Sequence, residues 1–214
     1  MNRTLPKDLL EAEILLTNSL ISELKLNSNK YLGINLLFNN LRLNPIIKRL
    51  ANKLSNSNYS FYLLWADEGG SALAKRDLPS YTKNIFSFNQ LSKNITNIDN
   101  SSILIAVKPE PYDFEQFKQL CEQYSGVVIM INGRLEDMAV GIGNLGRERR
   151  KSFISLWKNV FWLEPLNKGA LMKVYDSKWI LYRLDEDGYR FCKYFDYKPD
   201  EEEILNGFSD SITT

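Results

Sequence analysis

Residues 103–131, ILIAVKPEPYDFEQFKQLCEQYSGVVIMI, decide the fold. Two wholly apolar runs, Ile103 to Val107 and Val127 to Ile131, flank a segment from Phe114 to Tyr124. In that segment Phe114, Phe117, Leu120 and Cys121 recur at helical spacing. A strand with no polar position is buried on both faces, and two such strands joined by a helix form a unit of parallel sheet.

The same alternation extends toward the N-terminus. Asp8 followed by Glu11, just after Pro6, fits a capping box. Leu9, Leu16, Leu20 and Leu24, with Leu10 and Ile21, then make a helical stripe to about Leu26. Its polar face is acidic where a membrane-surface helix carries lysine and arginine, so the stripe is read as packing on a sheet. Tyr31 to Phe38 and Ser60 to Trp65 read as strands, with a shorter one at Ile85 to Phe88. Helices are expected at Pro45 to Leu54 and around Ser71 to Lys75. After Asn132 the pattern changes. A glycine-containing loop leads into a basic helix near Arg147 to Trp157. Short strands follow at Val160 to Leu163, Leu171 to Tyr175, Trp179 to Leu184 and Tyr189 to Phe195. Turns such as Asn167-Lys168-Gly169 make these antiparallel hairpins, and a helix from Asp200 to about Asn206 closes the chain. The expected fold is α/β: a largely parallel, Rossmann-like sheet with helices on both faces, plus a C-terminal antiparallel extension. It is read as a single domain over 1–214, with αβ repeats to about 132, the basic helix and hairpins over about 133–208, and a tail at 209–214.

Composition excludes several chemistries. The 214 residues contain no histidine, the only side chain that ordinarily changes charge near neutrality. A Ser-His-Asp triad, a Cys-His pair and an HExxH zinc site are therefore absent from this chain. Cys121 and Cys192 are two isolated thiols, neither a zinc site nor a disulfide framework, and fit a reduced compartment. No metal and no cofactor are expected. Lys plus Arg number 27 against 26 for Asp plus Glu, leaving no overall field for nucleic acid. No run of 18 apolar residues exists to span a membrane. Asp8, Glu11 and Glu13 interrupt the region where a signal peptide would need an apolar core.

Three features are candidate sites. Gly141-Ile-Gly143-Asn-Leu-Gly146 matches the dinucleotide fingerprint letter for letter, but that fingerprint must follow directly on a buried strand. Here charged residues precede it, and the strand ends at Ile131. A glycine loop allowing close backbone approach is the favoured reading. Arg147, Arg149, Arg150 and Lys151 crowd the start of the next helix, opposing its dipole. With Gly141 and Gly143 they form a candidate surface for an anion or a partner, set against a plainly solvated face. The ends of the parallel strands supply the third candidate, a ligand crevice of Asp67, Gly69, Gly70, Ser71, Lys108 and Asn132. Paired glycines opening a helix could offer N–H groups to an anion, although Asp67 and Glu68 would repel phosphate. Helix caps and turns are the favoured alternative. None of the three contains a catalytic set, and no catalytic residue is assigned. Aromatics alternate through the last third of the chain, either as hairpin core or as an exposed partner surface.

The order of these features resembles one family. It is carried by Leu5-Pro6 before a helix, Trp65-Ala-Asp67-Glu68-Gly69, and a strand ending at Asn132. Gly141-Ile-Gly143, Arg147, Arg150, Phe153, Trp162-Leu-Glu-Pro165, Gly169, Trp179 and Pro199 before an acidic helix complete the pattern. Over about residues 5 to 208 the chain resembles domain-of-unknown-function family nineteen-ninety-five of cyanobacterial and chloroplast proteins. The resemblance implies an association with oxygenic photosynthesis. One chloroplast member is a photosystem II accumulation factor, and another joins this domain to an adenylate kinase. Neither role carries catalytic residues over. The family pattern has acidic residues around the first strand, where this chain has Asn35 and Asn39. The expected function is a non-enzymatic accessory protein in photosystem assembly, cytoplasmic or peripheral at the thylakoid surface. Its expected partner is a protein, through an acidic surface or a photosystem subunit. A nucleotide- or phosphate-binding α/β module is the alternative.

Overall fold

The computed structural model describes residues 4–26, 28–135 and 144–210. Its contacts group the chain into two compact units, Asn27–Ile34 with Arg42–Lys158, and Met1–Leu26 with Asn35–Leu41 and Asn159–Thr214.

The first unit is the parallel sheet. It holds the start of β1 (Tyr31–Leu36), then α2 (Leu43–Asn56), β2 (Phe61–Trp65), α3 (Glu68–Asp77), β3 (Ile85–Ser87), α4 (Phe88–Ser92), β4 (Ile103–Val107), α5 (Phe114–Gln123), β5 (Val128–Ile131) and α6 (Asn144–Ser155). The strand order is β3-β2-β4-β5-β1, every pairing parallel. All residues of β4 and β5 are buried, as their unbroken apolar runs require. Alternate side chains serve opposite faces. Leu64, Leu104, Ala106, Val128 and Met130 meet Phe88 and Leu91 of α4, Phe114, Phe117 and Leu120 of α5, and Phe153 with the nearby Trp157. Phe153 sits amid the rings of Tyr31, Phe114, Phe117 and Trp157, with centroids 5.6–6.3 Å away. The other face carries Phe61, Leu63 and Trp65. Phe61 meets Tyr81 at 5.6 Å. A side chain at Gly70 of α3 would come 3.1 Å from Trp65.

The second unit holds α1 (Leu9–Leu26), the end of β1, β6 (Lys158–Leu166), β7 (Gly169–Lys173), β8 (Trp179–Asp185), β9 (Gly188–Phe195) and α7 (Glu201–Asp210). Within it Leu37 N–H donates to Leu163 O at 2.9 Å, and β6 to β9 form an antiparallel meander. The hydrogen-bonded order within this unit is β1-β6-β7-β8-β9. Trp162, Leu171, Trp179, Leu181 and Phe195 pack with Phe208 and Ile204 of α7. Cys192 is the extra residue of a bulge, where the partner of β8 shifts from Lys193 to Phe191. Gly169 closes the β6–β7 turn where a Cβ would lie 1.8 Å from Tyr182 O, so the position accepts no side chain.

The fold is thus α/β, with parallel strands followed by an antiparallel extension, as the pattern predicts. Some boundaries differ. Phe88 belongs to a helix rather than a strand, because Ser87 and Gln90 form a capping box that starts α4 there. α3 begins at Glu68, three residues ahead of Ser71. In α1, Leu16 and Leu20 are buried, but Leu9 and Leu10 are exposed; the buried row runs Ala12, Leu16, Leu20 and Glu23.

Candidate functional site

The parallel sheet has one place where its winding reverses. The chain leaves β2 through α3 to reach β3, then returns past β2 to β4. α3 and α5 consequently leave adjacent strands on opposite faces. The seam beyond the C-terminal ends of β2 and β4 is the topological switch point where open α/β sheets hold ligands. Asp67 and Glu68 stand on its β2 side. Lys108, Glu110, Tyr112 and Asp113 stand on its β4 side, and Asn132 ends the neighbouring β5.

The polar groups at this seam are engaged with one another. Asp67 Oδ1 accepts from Gly70 N–H at 2.8 Å and caps α3. A Cβ at Gly69 would lie 3.1 Å from that Oδ1. Ser71 is buried, its hydroxyl donating to Glu68 O at 3.0 Å. The earlier helix start turns it inward, away from the opening. The Glu68 carboxylate accepts from Gln90 Nε2 at 3.0 Å and Ser87 Oγ at 3.5 Å. A carboxylate of the chain itself therefore occupies the space beside the α3 and α4 starts.

Lys108 pairs with Glu110 at 3.1 Å. Lys108 and Asn132 both have left-handed backbone, with φ of 52° and 50°, a conformation uncommon outside glycine. Glu110 N–H donates to Asp113 Oδ2 at 2.8 Å. Burial, then the charges of Glu110 and Asp67, raise the Asp113 carboxyl above its usual range, against the pull of its backbone hydrogen bond. Desolvation and then Asp113, Glu110 and Asp67 push the Tyr112 phenol up, although that side chain is largely exposed. The field at the seam is negative and disfavours phosphate. Glu110 belongs to the strand-end segment legible in the sequence, whereas Tyr112 and Asp113 carry no signal of their own beyond Pro109 and Pro111, which mark an ordered turn there. Among the described residues no three carboxylates or thiols come together as metal ligands.

The basic segment divides. Gly141 and Gly143 lie outside the described residues, and Gly146 is already inside α6. Arg147, Arg149 and Lys151 are exposed. Arg150 turns inward. Its Nη1 donates to Leu135 O and its Nη2 to Pro111 O, each at 3.2 Å, and the guanidinium lies 4.5 Å from the Phe114 ring centroid. It holds the loops after β4 and β5 rather than facing a partner.

An aromatic surface appears in the antiparallel unit. β9 register places Tyr189 opposite Leu184, Phe191 opposite Tyr182 and Tyr194 opposite Ile180. These share the face turned away from Leu181, Trp179 and α7. Leu184, Tyr189, Phe191 and Tyr194 remain 51, 49, 42 and 39 % exposed, and the Phe191 and Tyr194 rings lie 4.5 Å apart.

Fold and site together define an α/β protein with a self-satisfied acidic strand-end seam and an open aromatic face on its antiparallel strands. The family model for a domain of unknown function, DUF1995, matches residues 6–206. The chain belongs to that family. No curated protein matches it.

Proposed function

We propose that this chain is a non-enzymatic accessory protein that acts by binding another protein, in the assembly of the photosynthetic apparatus. The observation that carries the binding half is the aromatic face of Leu184, Tyr189, Phe191 and Tyr194. Large aromatics dominate interface energetics, and a contiguous exposed set marks an interaction surface. The self-satisfied seam supports the non-enzymatic half. Asp67 and Glu68 are held by α3 and α4, Lys108 is neutralised by Glu110, and no histidine is at hand as a base. The photosynthetic context rests on the family resemblance, and the compartment follows it: cytoplasmic, or peripheral at the thylakoid surface. No helix among the described residues is long and apolar enough to cross a membrane.

Crosslinked affinity purification from the native cell tests the reading. A Tyr189→Ser/Phe191→Ser/Tyr194→Ser variant loses its partner, while an Arg147→Glu/Arg149→Glu/Lys151→Glu variant keeps it. Loss only in the second variant moves the interface to α6. Thermal stabilisation by a nucleotide or sugar phosphate, abolished by Asp67→Asn, would overturn the reading in favour of a ligand-binding module; a ligand at 100 times its Kd adds about 2.7 kcal/mol.

A further inference from the structure

The antiparallel unit holds a depression of about 320 Å³ between α7, the β6–β7 turn and the end of β8. Its apolar surface comes from Leu184 and Leu205, both more than half exposed, and the buried Phe208. Two cations stand at its rim. Arg183 is neutralised by Asp185, to which its Nε and Nη2 donate at 2.6 and 3.0 Å. Lys168 has no ion-pair partner among the described residues and is exposed.

The position of Lys168 is fixed by its backbone. Asn167 and Lys168 form a two-residue turn between the paired Leu166 and Gly169. Lys168 O accepts from Leu184 N–H at 2.8 Å. One uncompensated ammonium, on a stem rooted at this turn, thus borders an apolar depression. The volume lies at the low end of the roughly 300–1,000 Å³ of ligand pockets and equals about ten water-sized units at ~30 Å³ each.

We propose that this depression binds an amphipathic monocarboxylate with an alkyl chain of about eight to ten carbons. The chain lies on Leu184, Leu205 and Phe208, and the carboxylate takes the Lys168 ammonium. A cationic amphiphile meets Lys168 unfavourably, and a sugar leaves its hydroxyls against apolar carbon. The site shares Leu184 with the aromatic face but none of Tyr189, Phe191 and Tyr194, so its failure leaves the protein-binding reading, tested at those three residues, standing.

The test is a heteronuclear NMR titration of the full chain with octanoate, 1-octanol and octylammonium. Octanoate moves the amides of Gly169, Leu184, Leu205 and Phe208 saturably, with 1-octanol about tenfold weaker and octylammonium weaker still. Lys168→Ala, at an exposed site that keeps the Tm unchanged, brings octanoate down to the level of 1-octanol. Leu205→Asp, also exposed, abolishes both. Equal affinity for octanoate and 1-octanol, shifts centred elsewhere, or an unchanged octanoate affinity in Lys168→Ala would overturn the proposal.

Discussion

Asp67 stands at the end of β2, where a ligand-binding carboxylate would be expected, and is spent on capping α3. Its removal is therefore a stability experiment. Asp67→Ala loses the Gly70 N–H acceptor and costs about 1 kcal/mol, seen as a lower urea midpoint with unchanged slope. Asp67→Asn keeps an acceptor and most of that stability. Equal destabilisation by both would show that charge, not capping, is the contribution. The thiols separate in the same way. Burial pushes the Cys121 thiol far above its ordinary range, while Cys192 is partly exposed in its bulge. A native sample titrates one thiol with a disulfide reagent, and a denatured sample titrates two. The sequence shows Asp67 at a strand end and favours capping over ligand binding without deciding between them. Ser71 was misread because its direction depends on helix phase, and a start at Glu68 rotates it inward.

α6 shows what an element hides when read by charge alone. Arg147 to Lys151 looks like one basic cluster. Helical spacing carries the division, because Arg150 and Phe153 fall at i and i+3 and share one face of α6. Arg150 rides that face inward and ties Leu135 O and Pro111 O. Arg150→Ala removes two hydrogen bonds from a charged donor, each worth about 1.5–3 kcal/mol, and partial compensation by water leaves an expected loss of roughly 2–3 kcal/mol. Lys151→Ala, one position on and exposed, stays within about 0.5 kcal/mol. Urea unfolding of the two variants checks this; similar losses would mean that α6 depends on overall charge rather than on the Arg150 contacts. β4 and β5 are legible within a residue because unbroken apolar runs have few alternatives, whereas β6 extends two and three residues beyond its apolar centre. α4 was missed because five residues show no periodicity, although Ser87 and Gln90 at capping-box spacing marked its start. The open aromatic face was only half legible. Alternation gives the two faces of β9, but which one α7 covers is a tertiary fact.

For the molecule as a whole, the missing histidine fixes the shape of the pH–stability curve. With ordinary values, no carboxyl, phenol or amine side chain changes charge between about pH 5.5 and 8, so stability should be flat there. Below that plateau the described carboxylates pull in opposite directions. Asp77, Asp99 and Asp185 are lowered, by Asn44 with Arg76, by Ser101 and by Arg183 respectively. Each contributes stability that is present above the unfolded carboxylate range and lost as pH falls through its folded value. Asp113 is raised, so its ionisation works against folding and protonation in acid relieves that cost. Three groups against one leave a net fall in acid, shallow because Asp77 and Asp99 are exposed and Asp185 only part-buried. The alkaline limb begins with Cys121, whose thiol ionises in the unfolded chain at about 8.5 and stays protonated in the fold. A second step starts near pH 10, since burial holds the Tyr124 phenol at about 12 while its hydroxyl donates to Ser102 O at 2.6 Å. Both are raised groups, whose contribution is complete below the unfolded value and lost as pH rises toward the folded one. One proton per molecule corresponds to a slope of about 1.4 kcal/mol per pH unit. Urea midpoints from pH 3 to 10.5 should show the plateau, a shallow acid fall and a steeper alkaline one. Cys121→Ala, whatever it costs in packing, should move the alkaline onset from about 8.5 to about 10. A slope inside the plateau, or an onset that ignores Cys121→Ala, would mean that some other group in the fold titrates near neutrality.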